Sequence, residues 1–364
     1  MAEIGVKIME IYHHPLYKED VEKVAGLALP WEKLKGSSVM ISGATGLLGS
    51  FLIDVIMHKN LNEGLGCVIY ALGRNKEKAM NRFGYCFHLP DLKFFTCDVN
   101  HPLALGEISQ VDYVIHLASN THPVAYATDP IGTIMTNIYG LKNMLDFSEA
   151  HHSKRFAFAS SNEIYGENRG DTEVFDEKYC GYIDCNTMRA GYPESKRCGE
   201  SLCQAYIAQK HMDIVIPRFT RSYGPTLLKS DSKAMSQFLK KAINGEDIVL
   251  KSKGTQYYSY TYMADAISGL LMVLLTGAKG AAYNIADERS DIHLKDLAAL
   301  IAGAVGRKVI FDIPSQVESA GFSKATKARL DSQKLQSLGW KAQYDIKDGI
   351  TRTIRILREC DNQS

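Results

Sequence analysis

Val39-Met40-Ile41-Ser42-Gly43-Ala44-Thr45-Gly46-Leu47-Leu48-Gly49 joins a short apolar run to the longer stretch LLGSFLIDVIM at 47–57. A brief apolar run, a glycine-rich turn and then a helical apolar pattern read as a strand, a tight loop and a helix. The spacing Gly43-x-x-Gly46-x-x-Gly49 lets the backbone turn sharply, approach a pyrophosphate closely and seat the helix against its strand. The helix N-terminus then faces the anion. Gly43, Thr45, Gly46, Leu47 and Gly49 are therefore expected to hold a dinucleotide.

The pattern continues outward from this loop. CVIYAL, KFFTCD, DYVIHLAS, the stretch 131–150, RFAFASS, a helix near 192–210 and DIVIPRF follow in turn. Strands alternating with helices imply parallel strands covered on both faces and joined by right-handed crossovers. The expected fold class is α/β, a doubly wound parallel Rossmann sheet with a smaller C-terminal lobe. Residues 1–37 read as an N-terminal helical extension, 38–225 as the dinucleotide-binding domain, and 226–364 mainly as a substrate-binding lobe that returns in part to the sheet. Short strands are expected at 248–251 and 309–311, and Tyr257, Tyr258, Tyr260 and Tyr262 read as a strand with one face stacked on a nucleotide base. His13 and His14 read as tail residues.

Composition narrows the function. The chain has 364 residues, 42 basic and 41 acidic, a net charge of +1. That balance gives no electrostatic footprint for nucleic acid or an anionic membrane. A small polar substrate fits better. No window has the length of a membrane span, and the N-terminus lacks a signal-peptide pattern, so a cytoplasmic protein is expected. The eight cysteines form no CxxC pair and no zinc-ligand cluster. Reduced thiols and no metal site are expected.

The end of the second strand bears on the cofactor. A NAD site usually carries a carboxylate there for the ribose, whereas this chain reads Leu72-Gly73-Arg74-Asn75. The guanidinium of Arg74 suits a 2′-phosphate, which favours NADP over NAD. Asp98, followed by Val99 at the end of the third strand, is placed to touch the adenine; the alternative is a simple cap.

Tyr192-Pro193-Glu194-Ser195-Lys196 opens a helix, and residues at i and i+4 share one face. Lys196 can then sit near the Tyr192 phenol and favour its ionised form. A phenol must fall by roughly 2 to 3 in pKa to act as a base at neutral pH, about 3 to 4 kcal/mol. Ser160-Ser161-Asn162-Glu163 ends the preceding strand at the sheet edge where such folds bind ligands. One of those serine hydroxyls would bond the substrate oxygen that Tyr192 deprotonates.

These residues resemble the extended short-chain dehydrogenase/reductases, the NAD(P)-dependent nucleotide-sugar epimerases, dehydratases and decarboxylases. The landmarks run from residue 38 to about 340: GATGLLG, His116-Leu117-Ala118-Ser119, Asn137 in TNIYGLKN, SSNEIYG, YPESK, Arg218, Tyr223-Gly224-Pro225, Tyr262 to Asp265 and Leu338-Gly339-Trp340. The resemblance implies a dinucleotide held also by Leu117, Ala118, Ser119, Asn137, Ser160 and Lys196. It implies transient oxidation of a sugar carbon, with Tyr192 as base and Ser161 assisting, and then epimerisation, elimination or decarboxylation before the hydride returns. It further suggests a homodimer through the helices near 131–150 and 192–210, and a product used in polysaccharide synthesis.

The branch depends on the groups beside Ser161. In the related 4,6-dehydratases an Asp donates a proton to the departing hydroxyl; here that position is Asn162, and an amide is no acid. Glu163 remains, as in the decarboxylases that act on nucleotide-linked glucuronic acid. It would serve as a base at C3 or C5, or order water during CO₂ loss; the alternative is a carboxylate binding a backbone amide in the turn. The loop 170–191 should overhang the substrate, where Arg189 would clamp a carboxylate or phosphate, or else face solvent. Two positions depart from the family. Arg221 replaces a usual Asn, and Tyr258 replaces a usual Arg, so positive charge has moved across the expected diphosphate groove. His116 reads as strand-end packing.

The first reading is thus an epimerase or decarboxylase of a nucleotide sugar that retains its dinucleotide. The alternative is a net NADPH-dependent reductase or dehydrogenase of a nucleotide-linked ketose or polyol, which Arg74 and the altered Arg221/Tyr258 pair would suit. A silent dinucleotide sensor is the third reading, weakened because Ser161, Tyr192 and Lys196 are all present.

Overall fold

The computed structural model describes residues 8–106, 108–121, 123–228, 231–312 and 326–361. Strands β1 Ser38–Ser42, β2 Val68–Gly73, β3 Leu92–Thr96, β4 Tyr113–His116, β5 Arg155–Phe158, β6 Ser160–Ser161 and β7 Ile214–Phe219 build the main sheet, completed by Ala282–Ile285. From edge to edge the order is β3-β2-β1-β4-β5-β7 and then Ala282–Ile285, with β6 pairing β7. Every pairing in it is parallel. This is the doubly wound sheet expected from the alternation. Chain direction across the sheet reverses between β1 and β4, which opens a crevice at their C-terminal ends.

Helices α1 Ile8–His13 and α2 Pro15–Ala25 precede the sheet, and α3 Leu47–Glu63, α4 Lys76–Phe83, α5 Pro123–Thr128, α6 Pro130–Met135, α7 Leu141–Ala150 and α8 Gly191–Lys210 connect its strands. The stretch expected as one long helix is α6 and α7 joined by a π-helical turn at Thr136–Gly140. Such turns place an extra residue in the helix, often near a functional site.

Beyond the main sheet lie β8 Arg221–Tyr223, β9 Ile248–Leu250 and β10 Tyr257–Tyr262. β8 runs parallel to β10, with Tyr260 opposite Arg221, and β9 pairs Val309–Phe311. Both short strands expected from the sequence therefore form. The tyrosines at 258, 260 and 262 share one face by the period-two rule, and all three are buried. Tyr262 donates to Asp20 at 2.6 Å. The expected base-stacking face is thus largely core, because burying three rings removes more apolar area from water than a solvent-facing ladder would.

The N-terminal helices are built into the body. Tyr17 donates to Asp54 at 2.5 Å, Asp54 pairs with Arg82, and Asp20 lies 2.8 Å from Arg352 in the last helix. His14 corrects its reading as a tail residue: it is buried, caps α2 by accepting from Leu16 N and bonds Glu359. A helix start needs an acceptor for its free amides, and the imidazole supplies one.

Candidate active site

The loop after β1 carries the first cluster. Gly43 has φ +70°, and a Cβ there would lie 2.9 Å from Ala118 N. A Cβ on Gly49 would lie 2.4 Å from Gly43 O. Neither position accepts a side chain, so α3 and the Leu117–Ala118 segment close tightly on the loop. Gly46 is the N-cap of α3 and offers no side-chain cap. The first-turn amides of α3 therefore have no side-chain partner at the cap, as an incoming phosphate requires. Thr45 and Leu47 are half-buried beside them. Ser42 Oγ accepts from Leu117 N and Ala118 N, each at 3.2 Å, and bonds buried His116 at 2.7 Å. His116 is strand-end packing, as expected. Together these residues fit a dinucleotide across the crevice.

Ser119 donates to Asn137 at 2.7 Å, and Asn137 donates to Ser195 at 2.8 Å. Asn137 sits in the π-helical turn and is fully buried, so it orients Ser119 and anchors α8. Val99 packs against Gly140 in the same turn, and Asp98 accepts from Asn100 N at 3.0 Å. Arg74, exposed at the end of β2, neighbours Lys78, whose pKa burial and then Arg74 push down.

The second cluster lies at the start of α8. Tyr192 and Lys196 are both buried, as their shared face predicts. Lys196 Nζ lies 6.0 Å from the Tyr192 ring centroid and donates to Ala159 O at 2.8 Å. Burial brings its pKa down to about 7. Tyr192 departs from the expectation of a lowered phenol. Burial pushes its pKa up and Glu163 adds to this, while Ser161, Arg189 and Ser119 pull it down. The protein's own charges leave the phenol protonated, since desolvation outweighs them.

Ser161 and Ser160 separate on opposite faces, as neighbours on a strand must. Ser161 Oγ caps the short 3₁₀ helix Asn162–Tyr165, accepting from Glu163 N at 3.2 Å, and faces Tyr192. Ser160 instead donates to Glu200 at 2.5 Å. Glu200 pairs with Arg218 at 2.6 Å, and Arg218 donates to Tyr165 at 2.8 Å. Ser160 therefore lies outside the cluster formed by Ser161, Glu163, Tyr192 and Ser119.

Among the described residues the Glu163 carboxylate pairs with Arg189 rather than with a turn amide. Arg189 Nη2 lies 2.9 Å from its Oε1 and 2.8 Å from its Oε2. The Arg189 guanidinium also lies 5.0 Å from the Tyr126 ring centroid, and Tyr126 stacks on Tyr192 at 4.9 Å. Tyr126 was not a sequence candidate; its α5 is too short for its periodicity to point at the cleft. Asn162 is buried beside this group. Arg221 and Tyr258 are in contact, 3.6 Å between guanidinium carbon and ring centroid. Among the described residues no cluster of His, Cys, Asp and Glu could hold a metal ion, and no helix is long and apolar enough to cross a membrane.

The chain is 29% identical to UDP-glucuronic acid decarboxylase 5 of Arabidopsis thaliana over 86% of both chains. It is 28% identical to UDP-glucuronic acid decarboxylase 1 of Xenopus tropicalis, over 88% of this chain and 72% of that one. In fold it resembles UDP-glucuronic acid 4-epimerase of Bacillus cereus, with a TM-score of 0.75 and 18% identity over 88% of this chain and 99% of that one. It also resembles a dTDP-glucose 4,6-dehydratase of Streptomyces venezuelae, with a TM-score of 0.76 and 21% identity over 88% and 97%. Residues 39–286 match the NAD dependent epimerase/dehydratase family, and the glycine cradle, the Ser161–Tyr192 pair and the Lys196 helix described above stand within that match: the chain is a member of this enzyme family.

Proposed function

We propose that the protein decarboxylates a nucleotide-linked uronic acid through a transient ketone. The observation that carries this reading is the convergence of Tyr192, Ser161 and the Glu163–Arg189 ion pair at one end of the sheet. The two relatives named above carry this activity in their names. Gly43, Thr45, Gly46, Leu47 and Gly49 hold the pyrophosphate, Asp98 and Val99 the adenine side, and Leu117, Ala118 and Ser119 the opposite wall. Lys196 holds the ribose near Tyr192. A dinucleotide held by these residues would supply reversible hydride transfer at the sugar carbon.

The chain's own residues manage the protons. Ser161 orients the sugar hydroxyl, and Tyr192, protonated in the protein alone, would accept its proton as the phenolate once the positive charge of a bound nicotinamide adds to that of Arg189. Arg189 meets the carboxylate. Once the neighbouring carbon is a ketone, the bond to the carboxylate breaks, its electron pair enters the carbonyl and CO₂ leaves. Glu163 then orders the water that delivers onto this carbon the one proton that loss of CO₂ consumes, drawn from solvent. Asn162 has no acidic proton to offer a departing hydroxyl, which disfavours dehydration. Arg221 on Tyr258 supplies the positive charge for the diphosphate.

Arg74 with Lys78 favours NADP at the ribose end, because two neighbouring cations suit a 2′-phosphate. The same pair favours a second reading, a net NADPH-dependent reductase. A cytoplasmic homodimer completes the proposal, joined through 130–150 and 191–210, where Ile131 and Tyr139 are exposed.

The test is incubation with UDP-glucuronic acid without added dinucleotide, followed by mass spectrometry. A product lighter by CO₂ with no net nicotinamide reduction supports decarboxylation. An unchanged mass with a new sugar epimer replaces it by epimerisation, and stoichiometric NADPH consumption on a ketose substrate replaces it by the reductase.

A further inference from the structure

Glu163 and Arg189 face each other from two short turns. Glu163 stands in the 3₁₀ turn Asn162–Tyr165, fixed by Ser161 at its start and by Gly166 N, which donates to its carbonyl at 3.2 Å. Arg189 stands in a second such turn, Met188–Ala190, directly before α8. One guanidinium nitrogen, Nη2, makes both contacts to the Glu163 carboxylate. An arginine holds a carboxylate in a two-bond fork on either of two edges, Nε with Nη2 or Nη1 with Nη2, because Cδ blocks the third. Both edges contain Nη2. Glu163 therefore occupies the atom that any second forked carboxylate at Arg189 needs. Neither side chain is locked in the core, the two being 38% and 24% exposed. The Tyr126 ring, its centroid 5.0 Å from the guanidinium carbon, gives Arg189 a support that does not depend on Glu163. Tyr126 also stacks on Tyr192, so the ion pair stands close to the phenol.

We propose that Glu163 is a built-in stand-in for the substrate carboxylate, one that a nucleotide-linked uronic acid displaces from Arg189 and a neutral nucleotide-linked hexose does not. Glu163 is then a specificity-determining residue. The inference rests on the reading above that the substrate is a uronic acid. The exchange trades one carboxylate for another on the same nitrogen, so the charge of Arg189 stays matched. A hexose hydroxymethyl offers only a neutral hydrogen bond, about half as strong as a charge-assisted one, and leaves the pair closed. The resident carboxylate is thus the repulsive element against neutral sugars. It also lowers the affinity for a uronate, in proportion to the fraction of Arg189 that it leaves open. Glu163 is released only when a uronate is bound, which withholds it from proton delivery until there is a carboxylate to lose.

The experiment measures binding by isothermal titration calorimetry, with the full chain saturated with dinucleotide. Tyr192→Phe is present in every form so that no ligand is consumed. That background is compared alone and with Glu163→Gln, Arg189→Gln or both, and the probes are UDP-glucuronic acid and UDP-glucose. Glu163→Gln is expected to lower Kd for UDP-glucuronic acid about 10-fold, because the competitor is gone, and to leave UDP-glucose within about 2-fold. Arg189→Gln should raise Kd for UDP-glucuronic acid about 10-fold or more. Adding Glu163→Gln to Arg189→Gln should then tighten it by less than about 3-fold, since the two changes act on one interaction. With Tyr192 intact, Glu163→Gln should lower KM and kcat together. Should Glu163→Gln fail to fold, Glu163→Ala takes its place. Weaker uronate binding in Glu163→Gln overturns the proposal and makes Glu163 a support for Arg189. Tightening that persists in full without Arg189, or an equal gain for UDP-glucose, also overturns it and leaves plain charge repulsion. If the parental protein leaves UDP-glucuronic acid unconverted and no form prefers it to UDP-glucose, the uronate reading fails and this inference with it. If the parental protein decarboxylates it and Glu163→Gln binds it no tighter, this inference alone fails.

Discussion

The guanidinium of Arg221 lies over the ring of Tyr258, its central carbon 3.6 Å from the ring centroid. The two residues sit on adjacent strands, and the diagonal across the β8–β10 register brings them together. Nη1 of Arg221 is shielded from solvent and has no hydrogen-bond partner among the described residues, so a phosphate oxygen would satisfy a donor that is otherwise costly to bury. Stacking holds the side chain in place before any ligand arrives, which lowers the ordering cost of binding.

Arg221→Ala is accordingly expected to raise KM for the nucleotide sugar about 10- to 100-fold, roughly 1.4 to 2.8 kcal/mol, with kcat within a few-fold of parental. Tyr258→Phe should keep the stack and stay near parental. Steady-state kinetics on both variants check this, and an unchanged KM for Arg221→Ala removes the residue from the binding site.

Arg74→Ala should weaken NADP(H) by about 10-fold or more while changing NAD(H) by less than about 3-fold. Fluorescence titration with each dinucleotide measures the ratio. Equal losses for the two would show that Arg74 does not read the 2′ position.

Lys196 links the site to stability. Its folded pKa of about 7 lies below the unfolded value of about 10.4. Between these values the unfolded chain binds more protons than the folded one, so this group makes stability rise with pH from about 7 to about 10. Urea unfolding of parental protein and Lys196→Met at pH 7 and pH 9 isolates the contribution. The parental protein should gain a few kcal/mol relative to the variant across that window; parallel pH dependences would mean that Lys196 is more solvated than its 3% exposure implies.

Tyr17→Phe should destabilise the fold by about 1 to 3 kcal/mol, because buried Asp54 loses one of its donors. Chemical denaturation measures it, with dinucleotide affinity as the control that should not move. A change below about 0.5 kcal/mol would show that Arg82 and Tyr85 satisfy Asp54 without Tyr17.

The sheet and the glycine cradle were legible because each rests on local pattern. Alternation in the sequence marks strands and helices, and Gly43-x-x-Gly46-x-x-Gly49 marks the turn between two of them. Tyr192 and Lys196 were legible as a pair for the same reason, being one helical turn apart. What escaped is nonlocal. Glu163 and Arg189 meet across the 170–191 loop, and no spacing rule joins them. Ser160 and Ser161 are identical residues whose faces are fixed only by the strand's register with β7. The phenol's pKa follows burial, a property of the assembled site.

Arg352 donates to Leu16 O at 2.8 Å and pairs with Asp20, so α2 takes a partner that stands 336 residues later in the chain. A nascent chain still on the ribosome lacks that partner, along with the closing edge strand at 282–285. Such distant pairings carry a high loop-closure cost and slow the search. Vectorial synthesis therefore delivers a glycine cradle long before its N-terminal strap can latch, and the interval between the two is when this chain most needs shelter from aggregation.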